Sequence, residues 1–111
     1  MKLFKKVFRA VYRGLVLAES SDTLTYGDLI YFPLLDVNPV LRESSGRKHY
    51  CIWKGESESL DLNMHGQEVS DIAWLYINPK DDLKSIRGFV LFSEEVEIGW
   101  GLRWFERKRF N

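Results

Sequence analysis

A single cysteine in 111 residues excludes an internal disulfide and any zinc site built from several thiolates. Without the staple common in small secreted domains, a reducing, cytoplasmic setting is expected. No apolar run approaches the roughly 20 residues that span a bilayer, so no membrane partner is expected. The basic start has its apolar positions interrupted by charge, unlike a secretory signal. Net charge is also lacking: 16 basic and 16 acidic side chains cancel, leaving no global pull toward nucleic acid or anionic lipid. No glycine-rich phosphate loop or dinucleotide signature occurs. Asp61, Asp71, Asp81 and Asp82 form no Asp-x-Asp pair on a strand of the kind two catalytic metals require. No metal and no cofactor are expected.

What is present describes a folded domain. Hydrophobic residues make up 45% and charged ones 29%, enough for one core and too short a chain for a second, so residues 1–111 read as a single domain. Aromatics reach 14%, with 4 Trp, rich enough to fill a small β core or to wall a ligand site. The charge is uneven. Lys2, Lys5, Lys6, Arg9 and Arg13 crowd the start, Arg103, Arg107, Lys108 and Arg109 the end, and acids cluster between 56 and 61 and at Glu94, Glu95 and Glu97.

Along the chain, residues 2–9 read either as a short amphipathic segment, with Leu3, Phe4, Val7 and Phe8 at helix-like spacing, or, as preferred, as a lead-in to a first strand. Residues 10–18 form a hairpin about Arg13-Gly14, glycine tolerating the positive φ such a turn needs. Leu29, Ile30, Tyr31 and Phe32 make a strand stopped by Pro33. Leu34, Leu35, Val37 and Leu41 are expected to tuck a loop or helical turn onto the core. Residues 42–48 lack any apolar side chain and read as an exposed loop. A strand over 49–53 and a half-buried one over 57–63 follow, then a turn at His65-Gly66. Residues 70–76 are strand-like or a tight irregular connection. Asp81, Asp82, Leu83 and Ile86 predict a short helix between Pro79 and Gly88. Phe89, Val90, Leu91 and Phe92 are a buried strand, and residues 96–104 alternate as another, with Val96, Ile98, Trp100, Leu102 and Trp104 on one face. Residues 107–111 are a basic tail. About seven or eight short strands with regularly spaced turn signals point to a mainly antiparallel β domain of barrel or two-sheet form.

Six positions organise the rest: Tyr50-Cys51-Ile52-Trp53-Lys54-Gly55 bring the lone thiol, two aromatics and a cation together. Cys51-Ile52-Trp53-Lys54-Gly55 stands in order with Tyr31-Phe32-Pro33, with Asp71-Ile72-Ala73-Trp74-Leu75-Tyr76-Ile77-Asn78-Pro79, and with Ile86-Arg87-Gly88-Phe89-Val90-Leu91-Phe92. In these four segments the chain resembles the family known as domain of unknown function 427, sometimes labelled nucleotidyltransferase-like. The resemblance covers residues 10–96 and leaves 97–111 as an extension strand and tail. It implies a β-tent of two antiparallel sheets with one or two short helical turns, similar to methionine sulfoxide reductase B and the thalidomide-binding domain of cereblon. Their cysteine-ligated zinc has no counterpart here. Ile52 replaces the family's proline after the cysteine, and Ser59, Leu60 and Ser93 stand where the family carries aromatics, implying a wider or reshaped pocket.

Tyr31, Cys51, Trp53, Lys54, Asp71, Trp74 and Tyr76 are the candidate site, expected to converge on a hollow between the sheets. Tyr31, Trp53, Trp74 and Tyr76 would wall a small polar or anionic ligand that Lys54 and Asp71 orient; core packing is the competing role of the aromatics. Cys51 reads either as a nucleophile activated by Lys54 or His49, or as a small buried hydrophobe. His49, Cys51 and Trp53 alternate onto one strand face, where side chains run parallel, a poor geometry for proton transfer. A third reading makes residues 96–104 an edge strand for another chain.

Overall fold

The structure, a computed structural model, describes residues 4–104. Nine strands run in chain order: β1 (Phe4–Tyr12), β2 (Leu15–Ser20), β3 (Leu24–Tyr26), β4 (Leu29–Pro33), β5 (Leu41–Cys51), β6 (Gly55–Met64), β7 (Gln67–Pro79), β8 (Phe89–Phe92) and β9 (Glu97–Trp104). They form two antiparallel sheets, β2-β1-β9 and β3-β4-β8-β7-β6-β5. This is the mainly β, two-sheet architecture expected from the turn spacing.

Period-2 alternation sorts the large sheet into two faces. Phe32, Ala73, Leu75, Val90 and Phe92 join Ala10, Leu17 and Ala18 of the small sheet in the main core. The intervening residues Tyr31, Trp74, Tyr76, Phe89 and Leu91 build a second cluster on the opposite face. Ile86 and Leu83, from the segment between β7 and β8, close over that cluster.

Turn chemistry behaves as the sequence implies. Arg13 and Gly14 take φ of 48° and 83°, and His65 and Gly66 take 52° and 79°, the paired left-handed residues that match hairpin twist. Three expectations are corrected. Residues 42–48 are not a loop but lie within β5, whose pairing with β6 jumps from Glu43–Leu60 to Lys48–Glu58. An all-polar stretch can belong to an interrupted strand as well as to a loop, so composition does not separate the two. The helix before Gly88 is 3-10 in geometry over Asp81–Ile86, broken at Leu83. Leu34 and Leu35 face outward, Leu35 at 75% exposure, because the 3-10 turn Leu34–Asp36 sends the carboxylate of Asp36 inward to accept from Ser20 Oγ at 2.6 Å. Val37 and Leu41 do enter the core. The basic tail at 107–111 lies outside the described residues.

Candidate functional site

The second face of the large sheet gathers most of the predicted residues. In one cross-strand row Tyr31 lies opposite Leu91, Leu91 opposite Trp74, and Trp74 opposite Ser59. In the next, Tyr76 lies opposite Ser57 and Ser57 opposite His49. Alternation keeps all of these on one side, so aromatic walls on β4 and β7 look across two serines of β6 to His49 on β5. Strands two apart are separated by roughly 10 Å. The ring centroids of His49 and Trp74 are only 6.2 Å apart, edge to face, so the two rings lean together above β6. Their meeting explains why the small Ser57 and Ser59 are buried.

The hairpin joining β5 to β6 supplies the thiol and the cation. Cys51 and Gly55 are its last pair, and Gly55 continues the ladder to Pro79. Gly55 has φ of 100°, and a β-carbon there would meet the Asn78 carbonyl oxygen at 2.4 Å; only glycine fits. Lys80 N–H donates to the Lys54 carbonyl at 2.9 Å and pins the turn to the end of β7. The turn in consequence aims the Lys54 ammonium between two phenols, 5.6 Å from the centroid of Tyr31 and 5.9 Å from that of Tyr76. Those two rings are edge to face at 5.9 Å.

Cys51 is partly exposed beside this cation. Backbone N–H groups of Trp53 and Lys54 donate to its sulfur and, with the Lys54 charge, draw its pKa below the usual thiol value. Tyr76 is pushed the other way, up to about 12, chiefly by burial and further by the proximity of Tyr31 and Cys51. Among the described residues Lys54 has no carboxylate within ion-pair distance. The chemistry on offer is an ammonium without a carboxylate partner among the described residues, a thiol biased toward thiolate, and the Tyr76 phenol held protonated as a donor.

Asp71 anchors a second group at the other end of the face. Between Leu60–Ala73 and Leu62–Val69 the register of β7 takes up two extra residues, and Asp71 sits in that bulge at φ 56°. Its N–H donates to Asp61 Oδ1 at 2.8 Å. One Arg47 nitrogen donates to Asp61 at 2.9 Å and to Asp71 at 2.7 Å. The Arg47 hydrogen bond holds the Asp71 carboxyl below its ordinary range; burial opposes this and the neighbouring Ser59 hydroxyl assists. Ser59 Oγ is buried and meets no partner in ordinary hydrogen-bond geometry. His49 Nε2 lies 3.9 Å from the Asp71 carboxylate, which links this group to Trp74.

Tyr31, Cys51, Lys54 and Tyr76 therefore come together, and Trp74 and Asp71 adjoin them along the sheet. Trp53 stands apart: it lies in the turn rather than on the strand face and is 78% exposed. The meeting place is the outer face of the large sheet, not a hollow between sheets, because the space between sheets is filled by Phe32, Leu17, Ile72 and their neighbours. Arg47 and Ser57 carry no sequence signal, since only the strand register brings them to this face, and Ser59 is marked in the sequence only by the family aromatic it replaces. Among the described residues no group of three metal-ligating side chains forms, and no helix is long and apolar enough to cross a membrane.

Comparison with curated proteins finds no match. Residues 2–100 match the family NTP_transf_9, described as a domain of unknown function (DUF427), a span that takes in all of β1 and half of β9 beyond the four motifs. With its Tyr-Phe-Pro, Cys-x-Trp-Lys-Gly and Asp-x-Ala-Trp segments all in the large sheet and its β5–β6 turn, the chain belongs to the DUF427 family.

Proposed function

We propose that the chain binds a small anionic molecule on the outer face of its large sheet, at the end where Lys54, Tyr31, Tyr76 and Cys51 meet. The observation that carries this reading is the Lys54 ammonium, held over two aromatic rings with no carboxylate partner among the described residues. A cation over ring faces keeps its charge available, and a bound anion gains more from it there than in open water. Tyr31 and Tyr76 wall the ligand, Trp74 extends the wall, Trp53 supplies an exposed rim, and Asp71 with Arg47 orients a polar group at the far end. A reducing, cytoplasmic setting suits the accessible thiol.

Thermal-shift titration with phosphate, sulfate, small carboxylates and nucleotides tests the reading. A concentration-dependent rise in Tm that disappears in Lys54→Ala and weakens in Trp74→Ala is expected. Shifts of equal size in wild type and Lys54→Ala, or none with any anion, refute it.

A second reading rests on a separate observation: the two backbone N–H groups and the ammonium around Cys51 favour a thiolate. In that case the same face presents a thiol nucleophile to an electrophilic substrate. The pH dependence of alkylation separates the two readings.

A further inference from the structure

The small sheet ends in β9, which pairs with β1 over eight consecutive residues without a register shift, from Phe4–Trp104 to Val11–Glu97. Its other edge has no strand partner among the described residues. Edges of this length are normally blunted by proline, a bulge or an inward charge, and positions 97–104 contain no proline and no bulge. Gly99 and Gly101 carry no side chain, and a groove of about 580 Å³ opens over them, leaving the edge unshielded from that side. On the other face Trp100 is 61% exposed, with the Lys6 ammonium 4.3 Å from its ring centroid.

The sequence of this edge is nearly its own mirror image: Glu97-Ile98-Gly99-Trp100-Gly101-Leu102-Arg103. We propose that β9 pairs antiparallel with β9 of a second copy of the chain, about a two-fold axis through Trp100. In that register Trp100 meets Trp100, Gly99 meets Gly101, Ile98 meets Leu102, and position 97 meets position 103. The last is a glutamate against an arginine, and the symmetry makes it twice. Opposite charges directly across an antiparallel pair attract, and the two-fold operation needs one self-complementary patch, which this heptapeptide is. A register slipped by two residues in either direction loses both charge pairs and sets a charge against a glycine, Arg103 against Gly99 or Glu97 against Gly101.

Within one chain the register sets two basic positions opposite one another. Lys5 lies opposite Arg103 on β1, while Glu97 lies opposite the uncharged Val11. A copy docked in the proposed register brings its acidic position 97 beside that basic pair, and its own basic pair beside Glu97. The result is one continuous six-stranded sheet, β2-β1-β9 joined to its symmetry mate. This surface is independent of the anion site on the large sheet.

Sedimentation equilibrium across the micromolar range tests the inference by charge swap. Wild type is expected to be a reversible dimer. Glu97→Arg and Arg103→Glu, each placing like charges at both pairs, are expected to weaken it roughly tenfold or more. The double variant restores opposite charges in exchanged positions and is expected to return the dissociation constant to within about threefold of wild type. Arg103→Glu puts an acidic residue at the position paired with Lys5, so this reversal sets no like charges opposite one another on β1 and β9; an unchanged circular dichroism spectrum and Tm show that its loss of dimer is not a loss of fold. A monomer throughout the range, a dimer that ignores the single reversals, or a double variant that stays dissociated each overturns the proposal. A different protein as the true occupant of this edge would give the first of these results.

Discussion

Gly55 comes so close to Asn78 that a β-carbon on it would stand 2.4 Å from the Asn78 carbonyl oxygen. This approach locks the β5–β6 turn onto the end of β7, and it is why Lys54 lies over Tyr76, with the partly exposed Cys51 beside it.

Gly55→Ala therefore adds a backbone clash to a φ of 100° that suits only glycine. A loss of about 3 kcal/mol or more is expected, combining strain with overpacking. Urea unfolding gives the comparison. Gly66→Ala is the control, since its added β-carbon meets nothing within 4 Å and only the positive φ of 79° opposes it; it should cost clearly less.

Cys51 should alkylate as a thiol of depressed pKa. With iodoacetamide, the rate of the folded protein is expected to rise with pH through a midpoint below that of the urea-unfolded chain, because backbone N–H groups and the Lys54 charge stabilise the thiolate. Lys54→Met should move the midpoint part of the way back, since its backbone N–H remains. Coincident midpoints for folded and unfolded protein would remove the basis of the thiol reading. The sign for stability follows: a depressed acid stabilises the fold above the unfolded pKa, and that increment is lost as pH falls through the folded value.

Tyr76 carries the opposite sign. Its folded pKa is raised from 10.0 to about 12, so the stability it contributes is complete below 10 and lost as pH climbs toward 12. Alkaline spectrophotometric titration is expected to show one tyrosine ionising well above the others. Tyr76→Phe should abolish that late phase and leave stability less dependent on pH in the same window. A titration in which all tyrosines ionise together near their ordinary pKa would contradict the burial seen on this face.

Arg47 holds two carboxylates that otherwise face one another. Arg47→Met is expected to raise the pKa of Asp71 toward its ordinary value and to lower stability modestly near neutral pH, an exposed network of this kind contributing little. Because Asp71 is depressed, its contribution is present above 3.8 and lost as pH falls through the lower folded value, so the acid limb of the wild-type stability curve should flatten in the variant. Chemical denaturation at neutral and acid pH measures both. An unchanged acid limb would show the bridge to be without weight.

The opposite outcomes at Tyr31 and Trp53 explain how much of the site was legible. Tyr31 sits inside a strand, where period 2 holds, although with Leu29, Ile30, Tyr31 and Phe32 all apolar only the fold decided which face it takes. Trp53 was counted on the same rule, but the strand ends at Cys51, and past that point alternation has no meaning. Residues 42–48 failed for a related reason: a bulge breaks period 2 while keeping the strand, and polar composition cannot distinguish it from a loop.

The chain's alternation, its Arg13-Gly14 and His65-Gly66 turns and its ordered motifs were sufficient by themselves to determine strands, antiparallel sheets and family, because those are local properties of backbone and side-chain period. Which residues stand over Ser59, that Lys54 reaches Tyr31 from a turn 23 positions away, and that the site lies outside the sheets rather than between them were decided only in the folded state. Cross-strand register and bulges are settled by the balance of packing over the whole sheet, and no short stretch of sequence contains that balance.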